Sequence, residues 1–181
     1  RPRSNAASMI SRIHRLGIGS VVMLTGDDGN VARRIGDEVG IDRIESGLMP
    51  EDKIRLVRAL ADEHRTVGMV GDGVNDAPAL AAATVGIAMG GGGTDVALET
   101  ADVALMADDL HRLPFAIALS RRVRWTIWQN IIISMGVIAA LVPVAALGLA
   151  PIWLAVVFHE GSTLVVVLNA LRLLAFRERT D

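Results

Sequence analysis

Hydrophobic and polar positions divide the chain into two parts with different patterns. Up to residue 124, short apolar runs alternate with segments typical of helices. The apolar runs predict strands at residues 20–24, 66–70, 85–89 and 103–106, with a short candidate strand at Ile44. The helical pattern covers residues 1–17, 28–39, 51–64, 76–83, 94–100 and 110–124. Strands that alternate with helices indicate an α/β fold, in which a parallel sheet carries helices on its faces.

The second part contains two long apolar segments, residues 126–148 and 151–171. Each is long enough to cross a bilayer, which takes about 20 helical residues. Arginines flank the pair: Arg121, Arg122 and Arg124 precede the first segment, and Arg172, Arg177 and Arg179 follow the second. The positive-inside rule then predicts a transmembrane hairpin with both ends in the cytoplasm, together with residues 1–124. A buried helical hairpin in a large soluble protein is the alternative.

The composition narrows the classes of function. A net charge of −2 over 181 residues gives no basic footprint for nucleic acid. Cysteine is absent, which excludes disulfides and thiolate metal ligands within the chain. The chain begins Arg1-Pro2-Arg3, without a methionine or a signal-peptide pattern, and this predicts a piece of a longer polypeptide.

Two polar motifs directly follow predicted strands. Residues 25–27 read Thr-Gly-Asp, and residues 71–76 read Gly-Asp-Gly-Val-Asn-Asp. In parallel sheets, chemistry collects at the carboxyl ends of the strands. Asp72 and Asp76 offer the hard oxygens that Mg²⁺ prefers, and the glycines beside Asp72 let the backbone approach a phosphate. The second motif therefore predicts a magnesium and phosphate site; an acidic surface turn is the alternative.

Two further side chains fit an anionic ligand. Lys53 lies in the first turn of a predicted helix, and a helix N-terminus and a lysine both favour anions. Thr25 can donate its hydroxyl and its N–H to a phosphoryl oxygen. The alternatives are a solvated lysine and a threonine that caps a helix. Residues 90–93 are four consecutive glycines. They lack the lysine of a nucleotide-binding loop and are interpreted as a flexible loop.

A polar cluster interrupts the second apolar segment. It consists of His159, Glu160, Ser162 and Thr163. At 1.5 Å per residue, Glu160 lies about 13 Å into an apolar core about 30 Å thick. Ionisable groups at that depth indicate an ion or proton pathway, and helix packing is the alternative. In the first segment, Gln129 and Asn130 serve either interhelical hydrogen bonding or an entry route, and the sequence leaves both open.

Together these motifs resemble the heavy-metal-transporting branch of the P-type ATPases, from about Met9 to Phe176. The resemblance rests on residues 25–27, 49–53 (Met-Pro-Glu-Asp-Lys), 71–80, 93–102 and 169–173 (Asn-Ala-Leu-Arg-Leu). It implies part of a haloacid-dehalogenase-like (Rossmannoid) parallel-sheet domain, followed by a two-helix transmembrane hairpin. Residues 1–124 would form the C-terminal part of the phosphorylation domain, 125–176 two membrane helices, and 177–181 a cytoplasmic tail. Soluble phosphatases of the same superfamily share the Gly-Asp-Gly-x-Asn-Asp turn, and the hairpin separates the two groups.

The resemblance also implies roles for individual residues. The implied catalytic residues are Thr25, Gly26, Asp27, Lys53, Asn75 and Asp76, and the implied Mg²⁺ residues are Asp72 and Asp76. Asp72 would ligate the metal beside a phosphorylated aspartate, and Asn75 and Asp76 would hold the phosphoryl group and the surroundings of the metal. Lysine would neutralise phosphoryl charge and threonine would hydrogen-bond it, with Asp27 in support. ATP would be bound mainly by a domain outside this chain.

Residues 159–163, His-Glu-Gly-Ser-Thr, resemble the His-Glu-Gly-Gly-Thr signature of one subgroup of that branch. The subgroup is linked chiefly to cobalt, and also to zinc, nickel and iron(II). Ser162 stands where the signature has glycine. The implied residues for the transported cation are His159, Glu160, Ser162 and Thr163. The expected protein is an exporter of a divalent transition metal in a bacterial plasma membrane.

One motif of that branch does not occur in the sequence. Asp-Lys-Thr-Gly-Thr, whose aspartate accepts the phosphoryl group, is absent from the 181 residues. We therefore expect this chain alone neither to hydrolyse ATP through the pump cycle nor to transport. The alternatives are a membrane-tethered phosphatase of the same superfold and a non-catalytic remnant.

Overall fold

The computed structural model describes residues 6–72, 75–89, 99–105, 109–149 and 151–176. The chain separates into two compact units, Arg1–Pro114 and Phe115–Asp181. Of the sequence-based expectations, the glycine loop at 90–93 and most of the helix at 94–100 lie outside the described residues.

The first unit alternates helices and strands, as the sequence predicts. Its elements are α1 (Ala6–Arg15), β1 (Val22–Leu24), α2 (Gly29–Val39), β2 (Arg43–Glu45), α3 (Pro50–His64), β3 (Gly68–Gly71), α4 (Ala77–Ala82), β4 (Val85–Met89) and β5 (Val103–Leu105). All strand pairs are parallel. The α/β class with parallel strands expected from the sequence is confirmed.

The strands of the described residues form two sheets. β1 pairs with β2, and a separate sheet has the order β3-β4-β5. In the first, Val22 lies opposite Arg43; in the second, Gly71 lies opposite Ala88. Each of the two polar motifs therefore follows the carboxyl end of a strand, β1 or β3, that belongs to a parallel sheet.

Local sequence signals set the helix boundaries next to these strands. The Asp28 side chain accepts a hydrogen bond from the backbone N–H of Asn30 and caps the start of α2. Gly40 ends that helix in the left-handed region, at φ 80°, where glycine carries no Cβ penalty. Pro50 occupies the start of α3, and the Asp52 carboxylate accepts a hydrogen bond from the Met49 N–H at 3.1 Å.

A small apolar core holds α4 against the second sheet. Leu80 is 1% exposed and packs with Ala88 of β4. Gly86 permits this packing, because a Cβ there would lie 2.8 Å from the Leu80 carbonyl oxygen. The position of α4 is therefore fixed just after the polar motif that follows β3.

The second unit is built from two long helices. α5 runs from Arg112 to Ala146, and α6 runs from Ile152 to Leu171 and continues as a short 3-10 turn to Ala175. Both are long and apolar enough to cross a membrane by length and composition. Gly148, at φ 66°, supplies the left-handed residue of the turn between them.

One predicted boundary was wrong. The sequence pattern places a helix at 110–124 and a separate apolar segment from 126, whereas α5 is one continuous helix across these positions. No glycine or proline interrupts residues 115–130, and the Thr126 hydroxyl bonds back to the Arg122 carbonyl oxygen at 3.1 Å within the helix. The composition changes after Arg124, and the helical backbone continues without a break there.

Candidate phosphoryl-transfer site

The Thr-Gly-Asp motif forms a tight turn at the end of β1. The Thr25 hydroxyl donates to Asp27 Oδ2 at 3.1 Å, and the Asp27 N–H donates to Thr25 Oγ1 at 3.1 Å. Asp27 thus orients the threonine hydroxyl, and Gly26 lies where a Cβ would come within 3.2 Å of the Leu48 carbonyl oxygen. The Thr25 N–H donates to the Glu45 carbonyl oxygen at 2.9 Å. Both donors that the sequence analysis assigned to a phosphoryl oxygen are therefore used within the protein in this structure.

Backbone hydrogen bonds tie this turn to the loop that leads into α3. The Leu48 N–H donates to the Thr25 carbonyl oxygen at 3.1 Å, and the Gly47 N–H donates to that of Asp27 at 2.9 Å. The loop positions the first turn of α3, which carries Lys53. The motif after β1 and the lysine are therefore parts of one connected structure.

Lys53 reaches the motif that follows β3. Its Nζ lies 2.7 Å from Asp76 Oδ1, and the two side chains are 20% and 17% exposed. Asp76 is the residue before α4. Its carbonyl oxygen accepts a hydrogen bond from the Leu80 N–H at 2.8 Å, in the first turn of that helix. The partly buried ion pair joins two helix starts at the carboxyl ends of the strands, so the structure brings together two residues that the sequence assigns to one site.

Gly71 is the last residue of β3 and lies directly beneath the Asp76 side chain. A Cβ on Gly71 would lie 2.8 Å from Asp76 Cβ and 2.9 Å from Asp76 Oδ2, closer than side chains pack. The glycine therefore leaves the space that Asp76 occupies when it contacts Lys53.

Asp72 begins the polar turn after β3. Its Oδ1 accepts a hydrogen bond from the Asn75 N–H at 3.3 Å, and both residues are exposed. The two residues between them, 73 and 74, lie outside the described part of the chain. Two carboxylates and a side-chain amide in one turn are the kind of oxygen donors that suit Mg²⁺, which needs only one or two carboxylates because it keeps several waters.

The predicted cation residues of α6 are not gathered into a site by this chain. The side chains of His159 and Glu160 are exposed, and the Ser162 and Thr163 hydroxyls donate to the His159 carbonyl oxygen at 2.7 and 3.2 Å. Within the described ranges, no group of three or more His, Cys, Asp or Glu side chains is arranged to hold a metal ion. A complete cation site would need further ligands.

Gln129 and Asn130 of α5 contact Asn169 of α6, a partner that was not predicted. Asn169 donates its side-chain N–H groups to Asn130 Oδ1 at 2.8 Å and to Gln129 Oε1 at 3.3 Å, and its Oδ1 accepts from Arg172 at 3.2 Å. This favours interhelical hydrogen bonding over an entry route for Gln129 and Asn130. The signal was present in the sequence, since Asn169 is a lone amide in an apolar segment.

Comparisons with known proteins confirm the haloacid-dehalogenase-like fold expected from the sequence. The family profile described as haloacid dehalogenase-like hydrolase matches residues 1–84. The chain is 47% identical over 177 residues to a probable cadmium-transporting ATPase of Staphylococcus aureus (strain MRSA252), covering 98% of this chain and 24% of that protein. It is 50% identical over 176 residues to a manganese-exporting P-type ATPase of Mycobacterium bovis, covering 97% and 24%.

A solved structure shows the likeness in three dimensions. A crystal structure of a zinc-transporting PIB-type ATPase in the E2.Pi state superposes with a TM-score of 0.87 and 46% identity, covering 96% of this chain and 28% of that one. The chain thus spans about a quarter of the length of the curated relatives it matches.

Proposed function

The chain belongs to the heavy-metal-transporting P-type ATPases, and from that premise we propose that it supplies part of the phosphorylation domain and two membrane helices of an ATP-driven pump. In this proposal residues 1–124 are the C-terminal part of the phosphorylation domain, and 125–176 span a bacterial plasma membrane. The observation that carries it is the Lys53–Asp76 contact at 2.7 Å, four residues after Asp72, in the same chain as two helices of membrane-crossing length.

β1 and β3 each have one edge without a partner strand among the described residues, which supports a contribution to the site from another part of the polypeptide. Among the described strands, β1 pairs only with β2, and β3 pairs only with β4. All three residues of β1 are only half-buried, although strands of parallel sheets are normally covered on both faces. In the proposed pump, a strand from another part of the polypeptide lies beside these edges and carries the aspartate that accepts the phosphoryl group.

The side chains at these strand ends then act by charge and position. Phosphoryl transfer needs little covalent chemistry from the protein and depends on neutralising negative charge. Lys53 would contribute a positive charge from a position already fixed by Asp76. Thr25 would donate its hydroxyl hydrogen, which Asp27 accepts in this structure, to a phosphoryl oxygen once the hydroxyl turns toward it. Mg²⁺, when bound by Asp72 with Asp76 and Asn75 nearby, would supply charge neutralisation of the phosphoryl oxygens.

The cargo in this proposal is a divalent transition metal. Imidazole and carboxylate ligands suit borderline divalent ions, and His159 and Glu160 offer one of each. No hydrogen bond or ion pair engages the Glu160 side chain within the described residues, although unpartnered charges are costly in a membrane. Ligands from further helices would complete the site. The cobalt, zinc or nickel preference implied by residues 159–163 is part of this proposal.

A membrane-tethered phosphatase is the weaker reading. The match to metal-transporting relatives continues through the hairpin, since it covers 97–98% of this chain. A phosphatase with an unrelated anchor would match only in the first unit.

The test is the formation of an acyl-phosphate from radiolabelled ATP. We expect the purified chain alone to take no label, and labelling to require co-expression with a polypeptide that contains Asp-Lys-Thr-Gly-Thr and the nucleotide domain. Lys53→Met in this chain should then lower the labelling rate by at least about a hundredfold, as for a lost transition-state charge contact.

Arg55→Met is the matched control, because Arg55 lies two residues further along α3 and is 78% exposed. It should leave labelling unchanged. Label on the isolated chain, or labelling that is insensitive to Lys53→Met, would contradict the proposal.

A further inference from the structure

One face of α5 carries two arginines and two tryptophans next to the apolar segment. Arg121, Arg124, Trp125 and Trp128 follow the spacing i, i+3, i+4, i+7, which places them on one stripe of a helix. All four are exposed, and Trp125 and Trp128 remain 58% and 56% exposed. We call these four residues the Arg–Trp stripe.

The stripe faces away from α6. At about 100° per residue, Thr126 and Asn130 lie roughly opposite it on α5. Thr126 is 5% exposed, and Asn130 receives the hydrogen bond from Asn169 of α6 at 2.8 Å. The face of α5 that bonds to α6 therefore lies roughly opposite the stripe, and Arg124, Trp125 and Trp128 are exposed.

The charge around the stripe is of one sign. From residue 110 to residue 159 the sequence contains no Asp or Glu, while it contains Arg112, Arg121, Arg122 and Arg124. A guanidinium matches a phosphate bidentately, and anionic lipids of the cytoplasmic leaflet attract basic groups beside a membrane helix. Charge complementarity thus favours an anionic headgroup over a neutral one.

The order of residues along the helix matches the layers of a membrane surface. Arg121 and Arg124 come first, and Trp128 lies about 6 Å beyond Arg124 toward the apolar segment. Tryptophan is enriched at the interface between headgroups and acyl chains, and arginine reaches the headgroup layer. A single phospholipid can contact both pairs, its phosphate on the arginines and its glycerol region on the indoles.

We propose that the Arg–Trp stripe is a binding site for an anionic phospholipid of the cytoplasmic leaflet. This inference rests on the proposed function, because it requires that α5 and α6 cross a bilayer. It assigns to these residues a ligand distinct from both the phosphoryl group and the transported metal.

The three tryptophans of the chain make the test direct. Trp125 and Trp128 lie in the stripe, and Trp153 lies at the other end of the hairpin, near the start of α6. The variant Trp153→Phe reports on the stripe alone, and the double variant Trp125→Phe/Trp128→Phe reports on Trp153 alone. Each is reconstituted into mixed vesicles of phosphatidylcholine and phosphatidylglycerol. In one preparation the phosphatidylcholine carries brominated acyl chains, and in the other the phosphatidylglycerol does; the bromine atoms quench nearby tryptophans.

We expect brominated phosphatidylglycerol to be preferred at the stripe by at least about fivefold, the contribution of one arginine near an anionic surface. At Trp153 the preference should be close to one. Arg124→Gln should lower the stripe's preference by about fivefold.

Arg122→Gln is the matched control. It removes the same charge from a neighbouring position about 110° around the helix from the stripe, and should change the preference by less than about twofold. An equal loss in both variants, or an equal preference at Trp153, would overturn the inference in favour of general attraction between charges.

The remaining outcomes separate the inference from its premise. If brominated phosphatidylcholine quenches none of the tryptophans, the hairpin does not enter the bilayer, and the proposed function and the lipid site fail together. If it quenches Trp153 while the stripe shows no headgroup preference, only the lipid site fails. If the stripe is quenched in this chain but shielded in the longer pump, another helix covers it and the lipid site is wrong.

Discussion

At the scale of single residues, Gly71 shows how one missing side chain positions another. Gly71→Ala should place a methyl group 2.8 Å from Asp76 Cβ, move that carboxylate and weaken its contact with Lys53. Overpacking of this kind costs about 1–3 kcal/mol. We expect faster hydrogen–deuterium exchange in α4, measured by mass spectrometry on peptides from residues 75–82.

Gly68 provides the control for this substitution. It lies in the same strand, and the nearest atom to its added Cβ would be 4.0 Å away, on the Val85 carbonyl oxygen. Gly68→Ala should therefore leave exchange in α4 unchanged or slightly slower, since glycine in a strand is destabilising by about 0.5–1 kcal/mol relative to alanine. Equal effects of the two variants would show that Gly71 is not needed for the Asp76 position.

The Lys53–Asp76 pair itself can be measured by a double-mutant cycle. Lys53→Met and Asp76→Asn should show a coupling free energy of about 1–2 kcal/mol in urea unfolding followed by circular dichroism, because both side chains are mostly buried. The exposed Asp52–Arg55 pair, at 2.8 Å in the same helix, should give less than about 0.5 kcal/mol. A coupling no larger than that of the exposed pair would mean that the contact is not preorganised.

At the scale of elements, the sequence predicted those whose boundaries carry a local chemical signal. The start of α3 at Pro50 and the end of α2 at Gly40 follow from the dihedral angles these residues adopt. The continuity of α5 through Arg124 did not follow, because a switch from polar to apolar residues resembles a boundary while the backbone hydrogen bonds continue. The contact of Asn169 was also missed, because a lone amide in an apolar segment marks a polar position without showing which residue of another helix pairs with it.

The Asn169 contact leads to a prediction about the hairpin. Asn169→Ala and Asn130→Ala should be coupled by about 0.6–1.7 kcal/mol, the range for side-chain hydrogen bonds between membrane helices. Unfolding by dodecyl sulfate, followed by tryptophan fluorescence, measures this because all three tryptophans lie in the second unit. Gln129→Ala, at the longer distance of 3.3 Å, should couple more weakly with Asn169→Ala. The opposite order would show that Gln129 is the main partner.

At the scale of the whole molecule, the sequence predicted which motifs lie together better than it predicted how the strands pair. The motifs after β1 and β3 and Lys53 were predicted as parts of one site, and the Lys53–Asp76 contact and the loop bonded to the Thr25 turn now connect them. The division into two sheets was not predicted, because a strand pattern shows that a segment is extended and does not show which edges find partners. The same reason applies to α6, whose polar residues the sequence reveals but whose ligand partners it does not.

The final prediction concerns Glu160, the only carboxylate between residues 126 and 171. It lies in α6 with its side chain exposed, and burying it in a membrane is favourable only if a metal or another charged group meets it there. In the longer pump, Glu160→Ala should lower metal-stimulated acyl-phosphate formation by at least about tenfold. Loss of a group that only orients a metal ligand already costs about 10–100-fold, and loss of the ligand itself should cost no less. Leu164→Ala, one helical turn away on the same face and 65% exposed, should leave it unchanged. Metal dependence that survives Glu160→Ala would place the cation site elsewhere, and loss in both variants would indicate that this face of α6 serves packing rather than binding.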